Sequence, residues 1–241
     1  MGEPVSEQTR NELGRVKALG AKLREQGVKA LYLGDGDHLS TNVALNLAAM
    51  VDRFRPELIF VETSAELQKR LDATRGKFVV PGSAFMEAAA LDVRAKTFAV
   101  DEPVAVKLAP DSLHGFHARV SPETHERIAT RIVKHIEEFQ HSRGRMPSFA
   151  VVFGRDHFGP THGIDHLVKA KLARDNFPSS KSRTVAIEDE QTQHHGAERF
   201  CSWLSGFDAR VHLDSASPPG IPDVCNPDFG TRRVIPGSPH R

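Results

Sequence analysis

The chain has 241 residues, with 32 Lys and Arg against 31 Asp and Glu, a formal charge of +1 and 39% hydrophobic residues. That composition fits a globular protein with one large domain or two lobes, and its balanced charge argues against a nucleic-acid partner held by bulk electrostatics. No apolar run approaches the ~20 residues of a membrane span, so no membrane partner is expected. The opening MGEPVSEQTRNELGRVKALG lacks the apolar core of a secretory signal. With only two cysteines, Cys201 and Cys225, the expected location is a reducing cytoplasm.

The spacing of Leu13, Val16, Leu19 and Leu23 predicts an amphipathic helix over residues 6–26, stopped at Gly27. Val28 to Leu33 reads as a buried strand ending at Gly34. Ser40 follows as an N-cap for a helix over 41–54, with Leu45, Ala48 and Val51 on one face. A strand over 58–61, a helix over 64–73, a strand over 77–80 closed by Pro81, and strands across 97–108 complete the first half.

Ser121-Pro122-Glu123 places a cap, a proline at the first helical position and an acid in the first turn. The stripe Ile128, Ile132, Ile136 and Phe139 continues that helix to Gly144. Further on, a strand is expected over 149–153, a helix over 163–175, a strand over 184–187, a helix over 192–204 and a strand over 209–213. A proline-rich loop over 214–230 leads to a last strand at 233–235.

Solid apolar strands alternating with helices predict an α/β fold with mostly parallel sheets. The expected organisation is an N-terminal helix at 1–27, a first α/β lobe at 28–112 and a second at 113–213. A return strand to the first lobe at 214–236 and a tail at 237–241 complete it.

Four stretches could carry chemistry. Gly34-Asp35-Gly36-Asp37-His38-Leu39-Ser40-Thr41-Asn42 joins a strand to a helix, where free N–H groups favour an anion; an ordinary capped turn is the alternative. Val80-Pro81-Gly82-Ser83 brings small polar groups to a strand end, where open α/β sheets bind ligands. The histidine-rich stretch from Arg155 to His166 holds His157, Thr161, His162 and His166, with Glu188 and His194 downstream; metal ligands and hydrogen-bonding cleft residues are both open readings. Thr231-Arg232-Arg233 pairs a hydroxyl with guanidiniums suited to a carboxylate.

In order, Leu33-Gly34-Asp35-Gly36-Asp37-His38-Leu39-Ser40, Ala48-Ala49, Val80-Pro81-Gly82-Ser83 and Thr231-Arg232-Arg233-Val234-Ile235 resemble the motifs of the prephenate dehydratase family. The resemblance implies a two-lobed periplasmic-binding-protein type II fold with a cleft between the lobes. It also implies a cofactor-independent lyase that decarboxylates prephenate or a similar cyclic dicarboxylate, with or without dehydration.

On that reading Thr231 donates or relays the proton, Arg232 holds a substrate carboxylate, and His38 stands where the family has a loop threonine. Ser40, Thr41, Asn42, Pro81 and Ser83, with His157, Thr161 and His162, are then candidates to bind a small-molecule carboxylate, with no metal. The absent Glu-Asn-Ser of the family's second motif favours the non-aromatising decarboxylase relatives. Two alternatives come from other classes: a non-catalytic small-acid binding module, and a metal-dependent hydrolase using His157, His162, His166 and Glu188 or His194. A homodimer through helices 6–26 and 121–141 is a further expectation.

Overall fold

The computed structural model describes residues 7–35, 41–64, 68–69, 72, 95–101, 120–159, 161–174, 177–189 and 208–213. Helix α1 (Glu7–Glu25) ends where Gly27 takes a left-handed φ of 72° and the Val28 N–H bonds back to Leu23 O. This cap, with its reversed backbone, is why the next strand starts at residue 30 rather than 28. In chain order there follow β1 (Ala30–Asp35), α2 (Thr41–Phe54), β2 (Leu58–Ser64), β3 (Lys96–Asp101) and α3 (Pro122–Arg143). The second half holds β4 (Phe149–Gly154), α4 (Ile164–Ala173), β5 (Ser182–Asp189) and β6 (Ala209–Leu213).

Helix α3 begins as its sequence dictates. The Ser121 hydroxyl accepts from the Thr124 N–H, Pro122 opens the first turn, and Gly144 closes the end at φ 67°.

The strands form one six-stranded sheet in the order β3-β2-β4-β1-β5-β6, with every pairing parallel. Alternate residues feed two cores. Leu31, Leu33, Ile59, Val61 and Val152 pack under α1 and α2, with Val16, Leu23, Leu47 and Met50. Tyr32, Phe60, Phe149, Val151 and Phe153 pack under α3 and α4, with Ile128, Ile132, Ile136 and Val168. Each fully buried aliphatic side chain contributes about 1.5–3 kcal/mol relative to exposure. On the β3 side, Gln68 donates to Thr97 O and accepts from the Ala99 N–H, so a side chain supplies what a further strand would.

The α/β class and the parallel sheet stand; the two lobes do not. β4, from the segment expected to form a second lobe, lies between β1 and β2 of the first. Among the described residues the segments 28–112 and 113–213 therefore share one sheet, with no cleft between lobes. The pattern of solid apolar strands reports burial on both faces but carries no strand order. The strands and helices expected at 77–80, 192–204 and 233–235 and the return segment at 214–236 lie outside the described residues. Among the described residues no helix is long and apolar enough to cross a membrane.

Helices α1 and α2 cross closely at Gly20. A Cβ there would stand 2.8 Å from Met50 O and 3.1 Å from Arg53 Cβ. Gly20→Val is expected to cost about 1–3 kcal/mol by overpacking, although glycine is itself a poor helix former. A urea midpoint equal to wild type would show that the helices can separate without penalty.

Candidate functional site

All strands are parallel, so their C-terminal ends share one edge, and α2, α3 and α4 present their N-termini there. At its centre Asp35 of β1 pairs with Gly154 of β4. From β1 the chain leaves into α2 on one face, and from β4 into α4 on the other. Adjacent strands that diverge in this way open a crevice where α/β sheets bind ligands.

Beside this point a buried polar array crosses from the sheet to α3. Glu62, near the end of β2, accepts the Gly154 N–H at 2.6 Å on Oε2. Its Oε1 lies 3.3 Å from His157 Nε2, with side-chain exposures of 3% for Glu62 and 6% for His157. His157 is held by the 3-10 turn Arg155–His157 that follows β4. Its Nδ1 stands 3.1 Å from Nε2 of His125, in the first turns of α3. The array ends where His125 Nδ1 meets His162 O at 2.7 Å.

The proton count follows from the partners. A carbonyl oxygen only accepts, so His125 Nδ1 carries hydrogen and donates to His162 O. Burial foremost, and then the facing His157, lower His125 to a pKa of about 4, so at neutral pH its Nε2 is an acceptor. His157 Nδ1 must then donate to it. One further proton is needed between His157 Nε2 and Glu62 Oε1, on either the imidazole or the carboxyl. The array closes only with this proton in place.

A second cluster braces the loop that carries His157 and His162. Asp165, in the first turn of α4, accepts the Gly159 N–H at 3.2 Å on Oδ1. Its Oδ2 accepts from Thr184 Oγ1 at 3.0 Å and from Lys169 Nζ at 3.2 Å. Lys169 Nζ also sits 5.1 Å over the Tyr32 ring, whose phenol is raised well above its ordinary pKa by burial first and Asp165 second. The loop closes tightly: a Cβ on Gly163 would lie 2.7 Å from Asp165 Oδ1 and from Gly159 O. Gly163→Ala is expected to cost about 1–3 kcal/mol and to displace the carbonyl that fixes His125. An unchanged melting temperature together with an unchanged His125 imidazole resonance would refute this.

Of the expected site residues, His157 lies in the array. His162 contributes its backbone carbonyl while its side chain is exposed, as are those of Thr161 and His166. Asn42 is turned to the helix pair, donating to Glu12 Oε2 at 3.2 Å. Thr41 opens α2, with its side chain outside the description. His38, Ser40, Pro81, Ser83, His194, Thr231 and Arg232 lie outside the described residues, as does the side chain of Glu188.

Sequence reading missed Glu62, His125, Asp165, Lys169 and Thr184. The available signal was an acid directly after the solid run Leu58 to Val61, at the end where ligands bind.

No protein-family model matches the chain, and no curated protein matches it. It is similar in fold to RRSP, a MARTX toxin effector domain from Vibrio vulnificus CMCP6, at 18% identity and TM-score 0.43, covering 76% of this chain and 38% of that one. A structure described as "Bacterial protein toxins" gives 14%, 0.40, 76% and 39%. The type III effector HopBA1 gives 10%, 0.43, 76% and 84%. The chain thus spans less than two-fifths of the first two.

The resemblance to prephenate dehydratase and the prephenate lyase reading are withdrawn, because strands of the two expected lobes interleave in one sheet. Of the matched motifs, Val80-Pro81-Gly82-Ser83 and Thr231-Arg232-Arg233-Val234-Ile235 lie outside the described residues, and the single sheet removes the interlobe cleft they implied. The two alternatives gain no support either. Among the described residues no group of three or more His, Cys, Asp or Glu is placed to hold a metal.

Proposed function

We propose that the chain is an acid–base enzyme that hydrolyses its substrate at the C-terminal edge of the sheet. The observation that carries this reading is the buried Glu62–His157–His125 array, in which an imidazole nitrogen stands 3.3 Å from a carboxylate oxygen. The Glu62 carboxylate takes a proton from water while the hydroxide adds to the substrate. That proton passes to the leaving group as its bond breaks. The neighbouring imidazole supplies positive charge as negative charge develops, in surroundings where such charges are poorly screened. His125 is a positioning residue that holds the ring of His157 in one orientation and one tautomer.

The test is hydrolysis of activated carboxylic esters, phosphodiesters and peptide amides by wild type and His157→Asn. Turnover of one class is expected, with about a 10²–10⁴-fold loss in the variant. Failure to hydrolyse any class, or a wild-type rate in His157→Asn, would overturn the proposal.

A further inference from the structure

At the opposite, N-terminal edge of the sheet a groove of about 940 Å³ lies between the starts of β2 and β3 and the last turns of α3. Its volume is within the ~300–1,000 Å³ of small-molecule sites. Phe98 and Phe139, both half-buried, supply the apolar surface, and His135 stacks on Phe98 at 4.0 Å between centroids. Around them stand exposed Arg55, Lys96 and Arg143.

The local charges do not cancel. Glu57 is taken by Arg145 through both carboxylate oxygens, and Glu138 lies 3.1 Å from His135. Among the described residues no carboxylate pairs with Arg55, Lys96 or Arg143. Basic residues at helix ends often serve only the helix dipole. Here the carbonyl ends of α2 and α3 offset about one unit charge together, against three cations without a carboxylate partner among the described residues, of which Lys96 Nζ lies 4.8 Å over the Phe98 ring.

Arg55 adds an independent sign. It holds φ 57°, a left-handed conformation that favours glycine and costs an arginine about 1 kcal/mol or more. Its N–H bonds back to Val51 O as the cap of α2, and the capping residue at the groove is a cation rather than glycine.

We propose that this groove binds a nucleotide, its planar ring against the Phe98 and Phe139 surface and its phosphates on Arg55, Lys96 and Arg143. Aromatic surface interleaved with cations that no described carboxylate neutralises is the chemistry that recognises a phosphorylated base, free or within a single strand.

Calorimetric titration of the full chain with ATP, pyrophosphate, adenosine and a twelve-residue oligo-dT tests the proposal. ATP is expected to bind about tenfold or more tightly than pyrophosphate or adenosine, because each offers only half of the recognition. Lys96→Ala/Arg143→Ala is expected to weaken ATP about tenfold at unchanged melting temperature, and Glu62→Gln to leave it unchanged. Tighter binding of oligo-dT than of ATP would make the strand the source; the reverse would make it the free nucleotide. Undetectable ATP binding, pyrophosphate binding equal to ATP, or ATP binding that survives in the double variant would overturn the proposal.

Discussion

Glu62→Gln is expected to fold normally and to hydrolyse about 10²–10⁴-fold more slowly than wild type. The reason lies in the shared proton. Glutamine can turn its carbonyl oxygen to the Gly154 N–H and donate its amide N–H to His157 Nε2, leaving His157 Nδ1 to donate to His125. Every contact of the array is then made without the additional proton, as though Glu62 were permanently protonated. Stability is retained because the Gly154 and His157 contacts are both kept, while the acceptor for water's proton is gone. His157→Ala differs, since it takes the imidazole from beside the buried Glu62 carboxylate and is expected to cost about 3–5 kcal/mol. Hydrolysis rates and melting temperatures measured on the same two preparations separate these effects. A Glu62→Gln protein as active as wild type would remove Glu62 from the chemistry.

Acid should loosen the fold through His125. Its pKa is about 4 when folded against an ordinary value of 6.5, so the unfolded chain binds this proton more readily. A histidine lowered in this way leaves stability complete above pH 6.5 and removes it as pH falls from 6.5 to 4. The difference amounts to roughly 3 kcal/mol. His157 faces His125 and opposes its protonation, whereas Asp165 and Glu62 favour it, so the net penalty belongs mainly to burial. His125→Gln keeps a donor for His162 O and an acceptor for His157 Nδ1, and is expected to flatten this part of the pH profile. Urea midpoints at pH 7 and pH 4.5 for both proteins are the measurement. Equal slopes in wild type and variant would place the acid sensitivity elsewhere.

What the sequence made legible depended on how local the cause was. Ser121, Pro122 and Gly144 bound α3 through contacts within a turn, and the solid run Phe149 to Phe153 reads directly as a strand buried on both faces. Strand order is not local. No residue of β4 states that it will lie between β1 and β2, and two lobes or one sheet satisfy the same pattern.

The site suffered for the same reason. Glu62 reads as the polar end of a strand until β4 is placed beside it, and His125 reads as a helical surface residue until the loop after β4 folds over it. The histidine-rich stretch misled by adjacency. His157 is buried in a 3-10 turn, His162 offers only its carbonyl, and His166 sits one position beyond the inward Asp165, hence on the exposed side of α4.

The position of β4 also bears on how the chain is made. While it emerges from the ribosome, β1 and the β2–β3 pair are complete long before residue 149, yet the strand that joins them does not exist. Until then each piece carries bare hydrogen-bonding edges and a half-covered apolar face, the condition in which nascent chains associate wrongly. Completion of the sheet must wait for Phe149–Gly154 to slot between two preformed halves. Parallel pairing across such a sequence separation is intrinsically slow, and both pairings of β4 are of this kind.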